Sequence, residues 1–338
     1  MTDHPLGTFL RRFLLEEVRR DRNLSVHTQR SYRDTFRLFL RFLQSEHRLD
    51  PDVLSVEQLD ADKVRGFLAH LEAARACGAA TRNQRLAALR SLFRFIAEQE
   101  PALVSHAAAV RRIHFRRVAA PDVAYLDKKE IDALIEVPDR QTLHGRRDHA
   151  LLLFLYNSGA RVSEAIGVTL GALALDAPAT VRLLGKGRKE RRCPLWPQTA
   201  RVLRALIAEQ QPEHAPTSFL FLNARRRPLT RFGVHSLIER CAARAAAIQP
   251  SLRDKRVSPH TIRHTTAVHL LRAGVDINTI RGWLGHVSLE TTNRYAEIDM
   301  EMKAKALETC AASVGVPATK RRASWQRDRQ LMAFLTSL

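Results

Sequence analysis

The sequence predicts a mainly α-helical protein with one small antiparallel sheet, and three observations lead to this fold class. Apolar residues recur at three- and four-residue spacing along most of the chain, with arginine on the opposite faces. One strong hairpin signal stands out, the turn GKGRK between the β-type runs TVRLL and RRCPL. The length of 338 residues predicts two domains, and a basic stretch without clear periodicity separates two helix-rich segments.

The first 100 residues predict an N-terminal bundle of four amphipathic helices. The apolar pattern places these helices at 8–20, 26–46, 56–75 and 82–99. Ser25, Ser55 and Thr81 stand directly before the last three helices and are predicted N-caps. Residues 101–123 follow as a predicted basic linker, whose run RRIHFRR favours a path along DNA.

A second domain is predicted over residues 124–312, mostly helical around the hairpin. Asp127 and Glu130 form a capping box, Ser258 precedes a proline at a helix start, and Gly159 is a helix stop. The predicted helices cover 128–137, 144–158, 160–168, 199–210, 232–246, 259–273, 277–284, a segment that begins at Ser288, and 300–313. Residues 313–338 are predicted to form a hinge and a C-terminal helix whose apolar stripe packs on another surface.

The charge of the chain indicates a polyanionic partner. The formal net charge is +20 and the sequence pI is about 10.9, so nucleic acid is the first candidate. The four cysteines are scattered without a CxxC pair, which argues against a zinc site and a disulfide framework and fits a reducing compartment. No run of 18 apolar residues and no signal-peptide pattern is present, so we expect a cytoplasmic bacterial protein without membrane contact.

Six side chains in the second domain are the candidate catalytic set. Taken singly, each also fits an ordinary surface or core position. Together, two arginines can clamp a phosphodiester, a lysine or histidine can protonate the departing oxygen, and a histidine can help deprotonate a tyrosine. A tyrosine needs that help because its pKa is about 10. The set is Arg161, Lys186, His260, Arg263, His286 and Tyr295.

Cofactor and metal chemistry find little support in the sequence. His260 and His264 have the spacing of a zinc pair, but the carboxylate of HExxH is missing and Arg263 lies between them. A guanidinium beside a dication is unfavourable. There is also no GxxxxGK[ST] loop and no acidic metal cluster, so the expectation is no cofactor and no metal.

Four segments resemble the tyrosine recombinases, also called the phage integrase family, with the Xer and lambda-integrase types as familiar members. These segments are SGARVSE, GKGRKERRCPL, SPHTIRHTTAVHLL and LGHVSLETTNRY. The family order of Arg, Lys, His-x-x-Arg, His or Trp, then Tyr is met by the six candidates with none missing. The resemblance covers residues 125–312 closely. The first 100 residues resemble the family's SAM-like core-binding domain more weakly, through the helix pattern and TQRSYRDTFRLFLRF.

The resemblance implies a role for each candidate. Tyr295 would be the nucleophile that joins the 3′ phosphate and releases a 5′ hydroxyl. Other implied roles are phosphate binding by Arg161, Arg263 and His286, general acid for Lys186, assistance to proton transfer for His260, and support of the first arginine by Glu164. The segment between His286 and Tyr295 is short, which favours cleavage in cis.

The implied partner is double-stranded DNA, held between the two domains. The family acts as a homo-tetramer on two DNA sites, in some cases with accessory recombinases or DNA-bending proteins, and often donates a C-terminal helix to the neighbouring protomer. Docking of that helix on its own domain is the alternative. The candidate DNA-binding residues are Arg82, Asn83, Arg85, Arg111, Arg112, Arg116, Arg117, Arg231 and His235.

The function expected from these features is that of the integrase or transposase of a mobile element, that is, a site-specific recombinase. Chromosome-dimer resolution is less favoured, given the extra tail. A type IB topoisomerase uses the same chemistry without a specific site. Two further alternatives are a DNA-binding regulator that lost the reaction and a metal-dependent nuclease built on His260, His264 and His269.

Overall fold

The computed structural model describes residues 4–118, 124–185, 189–210 and 215–285. The chain divides into two compact units, the first ending at Pro121 and the second beginning at Asp122. The described residues are mostly helical, and their one sheet has three antiparallel strands that lie side by side in chain order. The predicted fold class is therefore confirmed. No helix among the described residues is long and apolar enough to cross a membrane.

The first unit is built from helices around an aromatic core. Its helices are α1 Leu6–Arg12, α2 Val26–His47, α3 Ala61–Ala73, α4 Ala79–Gln99 and α5 Val104–Arg111. The first of them continues directly into π-helical turns over Phe13–Asp21. Phe13 is fully buried and stacks on Tyr32 at 5.8 Å between ring centroids. Ser25 caps α2 as predicted, because its hydroxyl accepts a hydrogen bond from the Thr28 N–H.

Two predicted caps in this unit differ from the structure. Ser55 caps only a single 3₁₀ turn, and α3 begins later with Asp60 as its N-cap, whose carboxylate accepts from the Lys63 N–H. Thr81 lies inside α4, since that helix begins at Ala79 with Gly78 in the cap position. Asp60 satisfies a first-turn amide of α3, whereas Gly78 provides no side-chain cap for α4, and in both cases the predicted helix start is wrong.

Part of the stretch predicted as a linker is folded. A 3₁₀ turn over Pro101–Leu103 leads into α5, and Leu103, Ala107 and Val110 are buried in the core of the first unit. These apolar residues recur at three- and four-residue spacing, which the sequence reading overlooked because the segment is short. The extended, basic part of the stretch begins only after Ile113.

The second unit surrounds its small sheet with helices. Its elements are α6 Lys128–Glu136, α7 Leu143–Ser158, α8 Val162–Ala165, β1 Leu173–Ala174, β2 Thr180–Leu184, β3 Glu190–Pro194, α9 Pro197–Gln210, α10 Arg231–Ala245, α11 Pro259–Arg272 and α12 Ile277–Leu284. β2 and β3 form the predicted hairpin, with Leu184 opposite Glu190 next to the turn. The capping box at Asp127 and the helix start at Ser258, with proline in the first turn, are confirmed.

Helices α7 and α11 pack together at the centre of this unit. α7 is buried along most of its length and ends at Gly159 in the left-handed conformation, with φ +56°. The Thr266 hydroxyl donates to the Tyr156 carbonyl at 2.7 Å, and the Tyr156 hydroxyl lies 2.8 Å from His269 Nδ1. These bonds hold the His-x-x-Arg helix against the end of α7.

Candidate active site

The carbonyls at the C-terminal end of α12 meet arginines from three different elements. Arg191 Nε donates to the Trp283 carbonyl at 2.8 Å, and Arg263 Nη2 donates to the Leu284 carbonyl at 2.6 Å. Arg161 Nη2 lies 3.3 Å from the Gly285 carbonyl. The last carbonyls of a helix have no partner within the helix and carry its negative dipole end. This helix end therefore gathers three guanidinium groups that would otherwise repel each other.

Arg161 is positioned by a buried carboxylate one turn along the chain. It stands in the N-cap position of α8, and Glu164 accepts its backbone N–H and its Nη1, each at 2.8 Å. Glu164 also accepts from Arg191 Nη2 at 2.8 Å. Burial alone would raise the pKa of the Glu164 carboxyl, but the bonds and charges of Arg191 and Arg161 outweigh burial, so this pKa is lowered. The carboxylate stays charged and orients both arginines.

Arg263 is held between α7 and α12. It is 3% exposed, and its Nη1 donates to the Gly159 carbonyl at 2.6 Å while Nη2 reaches the Leu284 carbonyl. A side chain at position 159 would place its Cβ 2.4 Å from Leu284 Cδ2, so the two segments that Arg263 bridges touch each other. The planar guanidinium is thus fixed by short bonds on two sides.

His260 lies one turn before Arg263, at the start of α11. The residue is exposed, and the pKa of its imidazole is lowered, first by partial loss of water around the ring and then by the positive charges of Arg263 and Arg161. The neutral imidazole therefore dominates at pH 7. A neutral histidine next to two arginines can accept a proton from a substrate or nucleophile.

Three of the predicted catalytic residues lie outside the described residues: Lys186, His286 and Tyr295. Their immediate neighbours in the chain are described. Gly185, which precedes the lysine, donates its N–H to the Lys189 carbonyl at 2.8 Å across the hairpin turn. Gly285, which precedes the histidine, ends α12 in the left-handed conformation. The structure thus brings Arg161 and Arg263 to the end of the segment that leads to His286. Glu164, which holds Arg161, lies next to Gly185.

The candidate base readers of the first unit have internal partners. Arg82 is 9% exposed and lies 3.8 Å from Glu72. Asn83 donates to the Arg116 carbonyl at 2.7 Å and accepts from the Arg116 N–H at 2.9 Å. Arg85 Nη1 donates to the Ser31 carbonyl and to Thr35 Oγ1. These contacts hold α2, α4 and the extended segment together, and base reading by these residues stays a prediction.

The other candidate DNA contacts lie at the surface. Exposed arginines are found at positions 111, 112, 116, 117 and 231. Arg116 pairs with Glu72 at 2.9 Å, and His235 lies 3.2 Å from Glu239. A DNA phosphate could reach the exposed side chains of the remaining candidates, which are Arg111, Arg112, Arg117 and Arg231.

Sequence reasoning missed two residues that organise this site. Arg191 has a side chain only 10% exposed although it is charged, and Asn157 is 1% exposed. Asn157 accepts the Trp196 N–H and donates to the Pro194 carbonyl, which fastens the end of β3 to α7. Strand alternation could have revealed Arg191, because it shares the inward face of β3 with the buried Cys193. Asn157 carried no comparable signal within an otherwise apolar helix.

The metal-dependent alternative would use His260, His264 and His269, which all lie among the described residues. His260 and His264 have ring centroids 6.4 Å apart, and His269 Nδ1 is engaged by the Tyr156 hydroxyl. In the part of the chain that the structure describes, no three histidine, cysteine, aspartate or glutamate side chains cluster as metal ligands.

Comparison with known proteins identifies the family. Residues 124–302 match the phage integrase family, and residues 11–100 match the phage integrase N-terminal SAM-like domain. The chain belongs to the phage integrase family of tyrosine-type site-specific recombinases. The resemblance read from the four motifs is confirmed, together with the enzyme class.

Individual relatives agree with this placement. The chain is 39% identical to y4rC of Sinorhizobium fredii, named as a candidate integrase/recombinase, over the full length of both proteins. It is 32% identical to the tyrosine recombinase XerC of Pelobacter propionicus over 88% of this chain and 93% of XerC. The structure of the Tn1549 transposon integrase with transposon right end DNA is similar in fold, with a TM-score of 0.67 and 14% identity over 89% of this chain and 98% of that one.

Proposed function

We propose that this recombinase cuts and rejoins double-stranded DNA through a 3′-phosphotyrosyl intermediate on Tyr295, as the integrase or transposase of a mobile element. The observation that carries the proposal is the convergence of Arg161 and Arg263 on the carbonyls of Gly285 and Leu284, directly before His286, with His260 close to both arginines. Two rigidly held arginines beside a neutral histidine suit a phosphodiester whose negative charge grows during attack. Names of relatives support the mobile-element role, since y4rC is named as an integrase/recombinase and Tn1549 is a transposon.

The cleavage step follows from the chemistry of these residues. The Tyr295 oxygen forms a bond to phosphorus while the bond from phosphorus to the 5′ oxygen breaks. Arg161, Arg263 and His286 bind the non-bridging oxygens, where donors fixed in advance stabilise the charge of the transition state. The reverse sequence, with a new 5′ hydroxyl as nucleophile, rejoins the strand and releases the tyrosine.

Two residues handle the protons in this scheme. His260, whose lowered pKa keeps it neutral at pH 7, accepts the proton of the Tyr295 hydroxyl. Lys186 donates a proton to the departing 5′ oxygen. Glu164 touches neither DNA nor the reacting atoms; it holds Arg161 in place.

The proposal extends to assembly and location. The exposed arginines at positions 111, 112, 117 and 231 contact DNA phosphates without reading sequence. A tetramer acts on two DNA sites in the bacterial cytoplasm, with exchange of one strand at a time. The segment 313–338 lies outside the described residues, and packing of its helix on a neighbouring protomer belongs to the same proposal.

Nicked suicide duplexes test the proposed reaction. DNA flanking the gene is nicked near the candidate cut, labelled on the strand that would stay attached, and incubated with the protein and EDTA. A denaturing protein gel then detects labelled adducts. We expect an adduct with wild type, none with Tyr295→Phe, and wild-type levels with Tyr32→Phe as a matched control, because Tyr32 packs in the first unit's core.

Each outcome of this assay is informative. An adduct in EDTA that requires Tyr295 supports metal-free covalent cleavage. Binding of the duplex in a gel shift without any adduct would contradict the proposal and point to a DNA-binding regulator. Incubation of two site-bearing plasmids then separates recombination from simple relaxation of supercoils, the activity of a type IB topoisomerase.

A further inference from the structure

Arg191 lies between the two chain segments that lead to Lys186 and His286. Its side chain is 10% exposed, and two nitrogens of its guanidinium each donate a hydrogen bond at 2.8 Å. Nε donates to the Trp283 carbonyl in α12, and Nη2 donates to the Glu164 carboxylate. One rigid fork thus joins the hairpin strand β3, the carboxylate that orients Arg161, and the helix end before His286.

Two glycines pack directly against this guanidinium. A Cβ at Gly285 would lie 3.1 Å from both Cδ and Nη1 of Arg191, and a Cβ at Gly185 would lie 3.8 Å from the same Nη1. Gly185 immediately precedes Lys186, and Gly285 immediately precedes His286. The contact at Gly285 is tighter than an ordinary side-chain contact, whereas an added Cβ at Gly185 would meet Glu164 Oε1 first, at 3.2 Å. The guanidinium of Arg191 therefore lies between the two segments and packs most closely against the residue that precedes His286.

The neighbouring arginine shows that this arrangement is specific. Arg192 points to the opposite, exposed face of β3 and stands across from Arg182 in the register of the hairpin. The same strand thus offers two adjacent arginines of equal charge, of which only Arg191 bonds to α12 and Glu164. Substitution of either arginine removes one positive charge. Only substitution of Arg191 also removes the bonds to α12 and to Glu164.

We propose that Arg191 is a positioning residue for strand cleavage, which fixes the lysine hairpin relative to the end of α12. This proposal rests on the proposed roles of Lys186 and His286 in catalysis. Arg191 acts on DNA only through the residues that it holds. Its removal separates groups that must meet on one phosphate, and small misplacements of that kind cost about 100-fold in rate.

The test compares Arg191→Gln, Arg191→Lys and the control Arg192→Gln in the full chain. Hydrogen–deuterium exchange without DNA is measured on peptides that cover 180–194 and 277–285. We expect about tenfold faster exchange at both segments in Arg191→Gln, because both lose their common anchor, and no change in Arg192→Gln. Unchanged exchange in Arg191→Gln would overturn the proposal whatever the protein does with DNA.

Single-turnover cleavage of the nicked duplex separates positioning from folding and from DNA binding. At a temperature where circular dichroism shows every variant folded, we expect Arg191→Gln to cleave about 100-fold more slowly with unchanged DNA affinity. Arg191→Lys should cleave at a rate between those of wild type and Arg191→Gln, because a lysine can bond to one of the two partners but not to both. Equal rates for Arg191→Gln and Arg192→Gln would refute the proposal. Absence of cleavage by wild type would instead refute the proposed function, and the exchange data would still decide whether Arg191 anchors the two segments.

Discussion

Replacement of Gly159 by alanine tests how tightly the end of α7 and the end of α12 are packed. Gly159 has φ +56°, and an added Cβ would lie 2.4 Å from Leu284 Cδ2 and 3.4 Å from Thr266 Cγ2. Leu284 is fully buried, so its side chain cannot avoid the added Cβ by moving into solvent. We expect Gly159→Ala to lower the free energy of unfolding of the second unit and to separate the two carbonyls that Arg263 bridges.

The magnitude has two parts. The left-handed conformation costs about 1–2 kcal/mol for a residue with a Cβ. Overpacking against a buried leucine adds about 1–3 kcal/mol, so the total is about 2–5 kcal/mol. Gly274→Ala is the matched control, because Gly274 has φ +83° with nothing within 4 Å of its added Cβ. This control should cost only the backbone part, about 1–2 kcal/mol.

Urea unfolding followed by tryptophan fluorescence measures these values. The three tryptophans, Trp196, Trp283 and Trp325, all follow residue 121 in the chain, so the signal does not report on unfolding of the first unit. In a double-mutant cycle with Leu284→Ala, the combined variant should be about 1–3 kcal/mol more stable than the sum of the single changes, because the contact is then gone. Additive values, or equal losses in Gly159→Ala and Gly274→Ala, would refute the packing argument.

Two further predictions concern stability. Burial and the charge of a nearby arginine, Arg272, lower the pKa of His269 below its usual 6.5 in the folded protein. The unfolded chain therefore binds a proton at this histidine at a higher pH than the folded protein does. The free energy of unfolding should consequently decline between pH 7 and pH 5. His269→Asn should reduce this decline in a series of melting temperatures, and an identical decline would contradict the assignment. Lys255→Met leaves the buried Glu130 without its cation and should cost about 2–3 kcal/mol, while Lys129→Met, at an exposed neighbour, should cost almost nothing in the same urea assay.

Sequence patterns were sufficient for the helices that have strong local signals. Serine and aspartate caps at Ser25, Asp127 and Ser258, and the stop at Gly159, depend on a few adjacent residues and are found where predicted. The start predicted at Ser55 was wrong because the helix over 61–73 has its own cap, Asp60, and Ser55 caps only a single 3₁₀ turn.

Sequence motifs predict the candidate site residues but not the contacts that support them. Arg161, His260 and Arg263 lie in motifs that can be recognised from the sequence alone. Bonds from Arg191 to Glu164 and to the Trp283 carbonyl join positions 27 and 92 residues apart. Such contacts depend on how elements pack, and a backbone carbonyl leaves no mark in the sequence that would reveal its partner.

Mapping the residue that becomes attached to DNA tests the central claim most directly. The adduct from a suicide duplex is trimmed with nuclease, digested with trypsin and sequenced by mass spectrometry. The tryptic peptide YAEIDMEMK, residues 295–303, contains Tyr295 as its single tyrosine, and the other three tyrosines fall in separate peptides. We predict a nucleotide joined through its 3′ phosphate to Tyr295. A nucleotide on any other residue, a 5′ linkage, or nicked DNA without an attached peptide would contradict the account.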